Sequence, residues 1–464
     1  MAVSTIRFLG AAQDVSDIWT YTIGGTPAAT NTVWLELNNK RLTLTVGTDV
    51  TTTDVAQELA AMINAKTNTT TTKVGATTDE TWSAAGQTYP EWTEVSATSS
   101  GAVLTLTSTP GVPIQAYMTA GVTGGGATIG SASSVQTATG KNFVDNADNW
   151  EGGVLPSNDS VSAGDTILAD NGIVDMKYAL DAFDSEDNIN LVRTLGYGGS
   201  IGLPLVNPLG YAEYRQRFLN LPATTGTGDQ LARFGNPGIP GRGTGFTRLN
   251  LGSVTGAGFN IYAYESQART TTGEAAIQII GTVTEVGLVA HRASVDICMD
   301  ETAGQVTMNN LATSWVENEQ NDCDVKIGYG VDWGSSDQID IRGGMVLLKG
   351  GMGPPAIEIH SGTLILDTVD QSVGVVHVFG GTVQYVSGVF VPTIYDGGTV
   401  DFRASTNLMT SGSQPVFYKG YRYYDPRGNV VWTSGIDFVG CVPGSSGTQV
   451  FDVIPNRNWL SAAV

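Results

Sequence analysis

The chain has 464 residues and sets 23 Lys and Arg against 44 Asp and Glu, a formal charge of −21, so nucleic acid and anionic membrane would both repel it. Charged residues make up only 14%, against roughly 25% in an average domain, and 59 glycines with abundant Thr, Ser and Asn take their place. No apolar run reaches the roughly 18 residues of a membrane-spanning helix, and Met1–Arg7 lacks the charged-then-apolar order of a secretory signal. Cys298, Cys323 and Cys441 are too few for a disulfide framework and read as buried thiols in a reducing cytoplasm. The length predicts two to four domains.

Residues 1–120 read as a compact α+β module. Ile18–Ile23, Val33–Leu37 and Leu42–Val46 alternate with the period of strands, and Asn38-Asn39-Lys40 joins the last two as a hairpin turn. Thr53 or Asp54 is placed to cap a helix whose apolar face is Val55, Leu59, Met62 and Ile63. Trp92–Ser96 and Ala102–Leu106 read as two further strands, giving one helix across an antiparallel sheet of four or five strands. Residues 121–140, rich in Gly, Ser, Ala and Thr, read as a flexible linker.

Residues 141–410 read as a parallel, right-handed β-helix, with an irregular insertion around 176–246 where Gly and Pro punctuation is dense. The signal is a repeat: Gly343-Gly344-Met345-Val346, Ser361-Gly362-Thr363-Leu364, Gly380-Gly381-Thr382-Val383 and Gly397-Gly398-Thr399-Val400. Their second residues fall at 344, 362, 381 and 398, and a short alternating strand precedes each copy. Two strands joined by a glycine corner at a near-fixed period describe one coil of a solenoid, which gains a core only when neighbouring coils stack on it. The expected inward columns are Val346, Leu364, Val383, Val400 and Leu348, Leu366, Tyr385, Phe402. The period fades after about 410, and 411–464 reads as a separate small β cap with a hairpin over Phe417–Trp432. The fold class is therefore mainly β, with one small α+β module at the N-terminal side.

Chemistry-bearing residues are sparse. Asp340, Glu358 and His377 each precede a repeat glycine by four positions and should form one column, with His360 beside it and Asp367 as a further acid. A catalytic or metal role would need a recognisable ligand spacing and a pocket, so a polar ladder on a solvent face is the preferred reading. Glu317, Glu319, Asp322 and Asp324, and separately Asp184, Glu186 and Asp187, lack the calcium-loop pattern and read as solvated loops. Gly124–Gly130 and Gly196–Gly202 lack a phosphate-loop ending and read as turns. His291 carries no signal, and Tyr418, Tyr421, Tyr423, Tyr424 and Trp432 read as the core of the terminal cap. No nucleophile elbow, Cys-x-x-Cys pair or zinc helix motif occurs, so no catalytic, cofactor or metal residue is assigned.

Two resemblances bear on function. Asp148-Asn149-Trp150-Glu151-Gly152-Gly153-Val154-Leu155-Pro156, followed by Asp165-Thr166-Ile167-Leu168, resembles the opening coil of autotransporter-like and pectin-lyase-like β-helices, whose tryptophan caps the open sheet end. The N-terminal module resembles small domains of tailed-bacteriophage virion proteins, through the turn at Asn38-Asn39-Lys40, Asp54-Val55-Ala56, Ile63-Asn64-Ala65, Glu94–Ala97, Thr105-Leu106-Thr107 and Pro110-Gly111. Together they imply a non-enzymatic virion protein made in the host cytoplasm without a signal peptide. The expected role is an outer capsid decoration protein, a homotrimer anchored on the major capsid or another virion protein through residues 1–120. The alternative is a tail fibre or tailspike whose β-helix binds or cleaves bacterial surface polysaccharide; a surface adhesin fits the start of the chain less well. No cofactor, nucleic acid or membrane partner is expected.

Overall fold

The computed structural model describes residues 4–29, 31–65, 72–74, 89–157, 164–186, 189–222, 230–234, 245–252, 258–264, 274–282, 285–299, 306–314, 323–349, 356–372, 376–389, 393–395, 398–404 and short strands between 409 and 451. The protein is mainly β, and among these residues Thr52–Ala65 is the only α-helix.

The alternating segments near the N-terminus form two small sheets rather than the single antiparallel sheet expected. Ile18–Gly25 runs antiparallel to Val103–Ser108, with Trp19 opposite Leu106, and Val95–Ser100 extends that sheet. Thr32–Leu37 lies between Lys40–Thr48 and Met118–Thr123, antiparallel to both. Asn38 and Asn39 adopt φ of 49° and 58°, the left-handed pair that a tight two-residue hairpin needs and that asparagine tolerates better than most residues. The helix starts one turn-position earlier than the sequence suggests. Thr51 is its cap, because the Asp54 carboxylate accepts from the Thr51 amide at 2.8 Å and its hydroxyl at 2.6 Å, while the Asp54 amide faces the Thr51 hydroxyl at 3.3 Å. Val55, Leu59, Met62 and Ile63 are buried as expected and share one apolar core with Trp19, Leu35, Leu44, Trp92 and Leu106.

Two details differ from the sequence reading. Residues 90–94 form a 3₁₀ turn rather than strand, because Pro90 lacks an amide for a ladder and its fixed φ suits a helical first turn. Residues 121–140 are not a linker. They supply Ala127–Ile129 and Ser133–Gln136, both antiparallel to Ile18–Gly25. What composition could not reveal is the buried Asp17 carboxylate, which accepts from the amides of Ile114 (2.7 Å), Gln115 (3.1 Å) and Ala138 (2.6 Å) and so ties this segment down. A buried carboxylate held by three amides is satisfied without a cation.

The rest of the chain builds one large parallel sheet. From Asn190 onward each strand pairs chiefly with the second strand after it, so two ladders advance side by side. One ladder aligns Leu191, Ala232, Ile261, Leu288, Leu311, Ile339, Ile357 and Val376. The other aligns Leu219, Leu249, Ile279, Ile297, Ile327, Leu348, Leu366 and Tyr385. Every one of these side chains is buried in a single continuous core. The alternating burial of the flanking positions is what a strand with one covered face requires. Val346, Leu364, Val383 and Val400 stack in direct register, and the rings of Tyr385 and Phe402 lie parallel at 4.8 Å.

The sheet begins earlier and runs later than the sequence suggests. Thr5–Arg7 pairs parallel with Thr166–Leu168, so the N-terminal α+β portion leaves the large sheet after its first strand and returns at Trp150. Trp150 is buried against Phe8 and Phe183 at that first end, and its indole donates to the Val144 carbonyl at 2.8 Å. At the other end, Phe417–Trp432 is not a hairpin: Val430–Trp432 pairs parallel with Met409–Ser411 rather than folding back on Arg422–Tyr424, and the strands before it are Val416–Tyr418 and Arg422–Tyr424. Each pairs parallel with the preceding ladder, opposite Ile394 and Thr399 respectively, and the ladders continue through Asp437–Val439 and Val450–Phe451. The fading period hid this because the spacing, not the pairing, becomes irregular.

The repeat glycines have a steric reason. Gly344, Gly362, Gly381 and Gly398 all take φ between 74° and 83°, and a Cβ built on Gly362 or Gly381 would lie 2.5 or 2.6 Å from the carbonyl oxygen of the glycine one turn before. Only glycine accepts both the left-handed corner and that approach. Gly381→Ala is therefore expected to cost at least about 2 kcal/mol, seen as a lowered midpoint in urea unfolding followed by circular dichroism. Leu364→Asp, which buries a charge among Val346, Val383 and their neighbours, is expected to leave no folded protein under the same assay.

Candidate functional site

The column expected from the repeat is formed. Asp340, Glu358 and His377 are direct register partners on successive turns. His360 joins them, with Nε2 3.7 Å from Asp340 Oδ1 and 3.6 Å from Glu358 Oε2. Arg342 Nε donates to Asp340 Oδ2 at 2.8 Å, within the same strand. Phe379 follows His360 by one turn: the two rings lie within 6° of parallel at 4.8 Å, and His377 approaches the same phenyl at 3.8 Å.

This spacing decides what the surface offers. A ring separation of 4.8 Å equals the strand spacing of a sheet, so the rings are stacked along the ladder and each covers a face of the next. The charges are matched laterally, Arg342 with Asp340 and His360 with both acids. Asp340 Oδ1 has no hydrogen-bond donor, and among the described residues no group of three His, Cys, Asp or Glu side chains is arranged to hold a metal ion.

The other candidates are dispersed. Asp367 lies 3.9 Å from Lys349 Nζ, Asp184 accepts from the Asn220 amide at 2.8 Å, and His291 sits 6.2 Å from the Tyr264 ring. Glu317, Glu319, Asp322, Asp187 and Cys441 lie outside the described residues. Cys298 and Cys323 are buried as expected, and burial pushes the Cys323 thiol up to about 11, which keeps it protonated and unreactive.

A denser polar cluster lies in the segment whose Gly and Pro punctuation reads only as loop. Between Ile201, which bridges Met176 and Thr247 in the large sheet, and the strand Leu219–Pro222, the chain makes an antiparallel excursion. The Leu203 amide donates to the Arg217 carbonyl at 2.9 Å and the Asn207 amide to the Tyr211 carbonyl at 2.7 Å. Inside this hairpin Arg215 is 2% exposed and its Nε donates to Glu213 Oε1 at 2.8 Å. Arg215 Nη1 lies 3.3 Å from Glu94 Oε2, and Nη2 donates at 2.9 Å to the Tyr211 hydroxyl, which in turn donates to Glu94 Oε2 at 2.6 Å. On the hairpin's other flank Arg217 Nη2 donates to Glu274 Oε1 at 2.9 Å, and the fully buried Arg248 reaches the same oxygen at 3.4 Å. Burial pulls the Arg248 guanidinium down to about 10, with Glu274 opposing that fall, and pushes the hydroxyl of Tyr178, whose ring centre lies 5.4 Å from the Arg215 guanidinium, up to about 12.

No family model matches the chain, and no curated protein or solved structure is similar to it. Among the described residues no helix is long and apolar enough to cross a membrane.

Two outcomes follow from these geometries. His360 and Glu358 are 38% and 41% exposed, and exposed ion pairs are worth at most about 1 kcal/mol, so the double variant Asp340→Asn, Glu358→Gln should melt within about 2 °C of the parent in a thermal scan. The hairpin cluster should respond to acid. Burial alone would raise the Glu213 carboxyl, but the Arg215 guanidinium and the Asn207 amide hold it below its ordinary 4.5. A depressed carboxyl contributes stability that is fully present above its unfolded value and is lost as pH falls through the folded one. Amide exchange of 203–217, corrected for intrinsic rate, should therefore be constant from pH 7 to about 5 and accelerate below about 4.5.

Proposed function

We propose that the two parallel ladders are the coils of a right-handed parallel β-helix, and that the chain is a non-enzymatic structural protein of a tailed-phage virion, serving as an outer capsid decoration protein. The observation that carries this reading is the two-strand register from Leu191 to Tyr385, whose aligned inward side chains are buried in one continuous core. Such a body is a rigid projecting element, and the chemistry-bearing side chains found on its outer face are paired with one another. The resemblance of residues 1–120 to virion domains gives the α+β portion the anchoring role, on the major capsid protein or another virion protein. The charge of −21 fits a partner other than nucleic acid or membrane.

One feature favours a fibre or tailspike that binds polysaccharide instead: Asp340 Oδ1, without a donor, beside the half-exposed Glu358 carboxylate and the rings of His360 and His377. Three measurements separate the readings. Quantitative mass spectrometry of purified virions should find hundreds of copies per particle; a handful would favour the fibre. Incubation with capsular or lipopolysaccharide fractions of the host should release no oligosaccharide, and release abolished in the Asp340→Asn, Glu358→Gln variant would replace decoration by a tailspike. Light scattering of the purified protein should give three times the 48.6 kDa chain mass, the homotrimer that a threefold position on a shell accommodates.

A further inference from the structure

The hairpin Leu203–Arg217 is paired on two sides at once. Toward the α+β portion it offers Arg215 and Tyr211 to Glu94, and Tyr214 to Tyr117, whose rings meet edge-on at 5.3 Å. Tyr214 also packs on the apolar core that holds Trp19 and Trp92, whereas Leu203, at the hairpin's base, shares a small buried cluster with Ala138, Phe143 and Tyr178. Toward the large sheet the hairpin offers Arg217 to Glu274, and Glu274 is held in turn by Arg248 of the strand Thr247–Gly252. The turn into the hairpin is fixed as well: Gly202 has φ of 93°, and a Cβ there would meet the Arg217 carbonyl at 2.4 Å and the Arg248 side chain at 2.6 Å.

We infer that Leu203–Arg217 is a two-sided strap that locks the α+β portion onto the parallel sheet in one orientation, with Arg215 as the group on which the lock depends. Buried ion pairs add little net stability, since desolvation cancels most of their attraction, but removing one partner leaves the other charge stranded. They therefore specify geometry more than they strengthen it. Removing Arg215 would leave Glu213, which is 0% exposed, to the Asn207 side chain and two backbone amides, and Glu94, which is 11% exposed, to the Tyr211 hydroxyl, both without the cation they now face. The pairing is also selective, because Tyr211 relays the Arg215 donor to the same Glu94 oxygen that the guanidinium faces. The consequence is mechanical: a load applied to the α+β portion passes into the sheet through the strap, and does not bend the two connections near Phe8 and Trp150. This inference rests on the geometry alone and holds whether or not the protein decorates a capsid.

Hydrogen exchange on the full-length chain tests it. In Arg215→Met, which keeps the aliphatic stem, amides of 203–217 and 95–108 should exchange at least tenfold faster, with those of 339–348 and 357–366 unchanged. Glu94→Gln, a milder change that leaves Arg215 on Glu213, should accelerate 203–217 and leave the sheet untouched, so the test survives if Arg215→Met does not fold. Limited proteolysis of either variant should release the α+β portion by cleavage within 203–217. Unchanged exchange of the strap in both variants would overturn the lock. So would acceleration spread evenly over the large sheet, which would make Arg215 a general core residue.

Discussion

The constraint on which the structure depends is the close approach of successive backbone turns at the glycine corners. In a parallel ladder the strands lie about 4.8 Å apart, and a corner that turns every coil in the same place must bring carbonyl over corner repeatedly. Gly362 under Gly381, and Gly344 under Gly362, leave no room for a Cβ. Once the corners coincide, the strands on either side are forced into register, so Val346, Leu364, Val383 and Val400 must share a column. The inner columns can then be branched aliphatics and one aromatic pair, and their burial supplies the drive that no single turn has.

That logic explains the low charge content of the chain. Outward side chains on successive turns face each other at strand spacing, where like charges repel, so Thr, Ser, Asn and Gln are the economical choice. Among the described residues several outward ionisable groups come with partners: Arg342 with Asp340, His360 between Asp340 and Glu358, Lys349 near Asp367. Asn220 and Asn250 show the neutral solution, with an amide-to-amide bond of 2.9 Å between neighbouring turns. The grid at 340–379 is thus what the sheet spacing demands of polar side chains, before any ligand is invoked.

How much of this was legible in the sequence follows the range of the interactions. The glycine corners recur at a fixed distance along the chain, so the ladder from 338 to 402 and its inward columns could be named residue by residue, as could the Asp340, Glu358, His377 column. The helix face was visible from its 3.6-residue period, although its cap was not: Thr53 or Asp54 was expected, and Thr51 takes the place because Asp54 turns back onto its amide and hydroxyl. Asp17 and Arg215 left no signal at all. Their partners are 97 and 121 residues away in sequence (Ile114 and Glu94), and nothing local distinguishes a hub residue from an ordinary polar one. Composition misled at 121–140 for the same reason: glycine and serine look like a linker until a buried carboxylate elsewhere fastens them.

The strap changes how the molecule is to be divided. By sequence order the α+β portion and the parallel sheet are successive units. By contact, the first strand Thr5–Arg7 already belongs to the sheet, and the portion that follows is an excursion fastened at Phe8, at Trp150 and again at Arg215. Three fastenings fix a body in orientation as well as position, whereas the two covalent connections alone would leave a hinge axis through Phe8 and Trp150. On the lock inferred above, the Arg215 cluster closes that axis, because Glu94 of the excursion meets Arg215 and Tyr211 of the strap only where the two are held face to face.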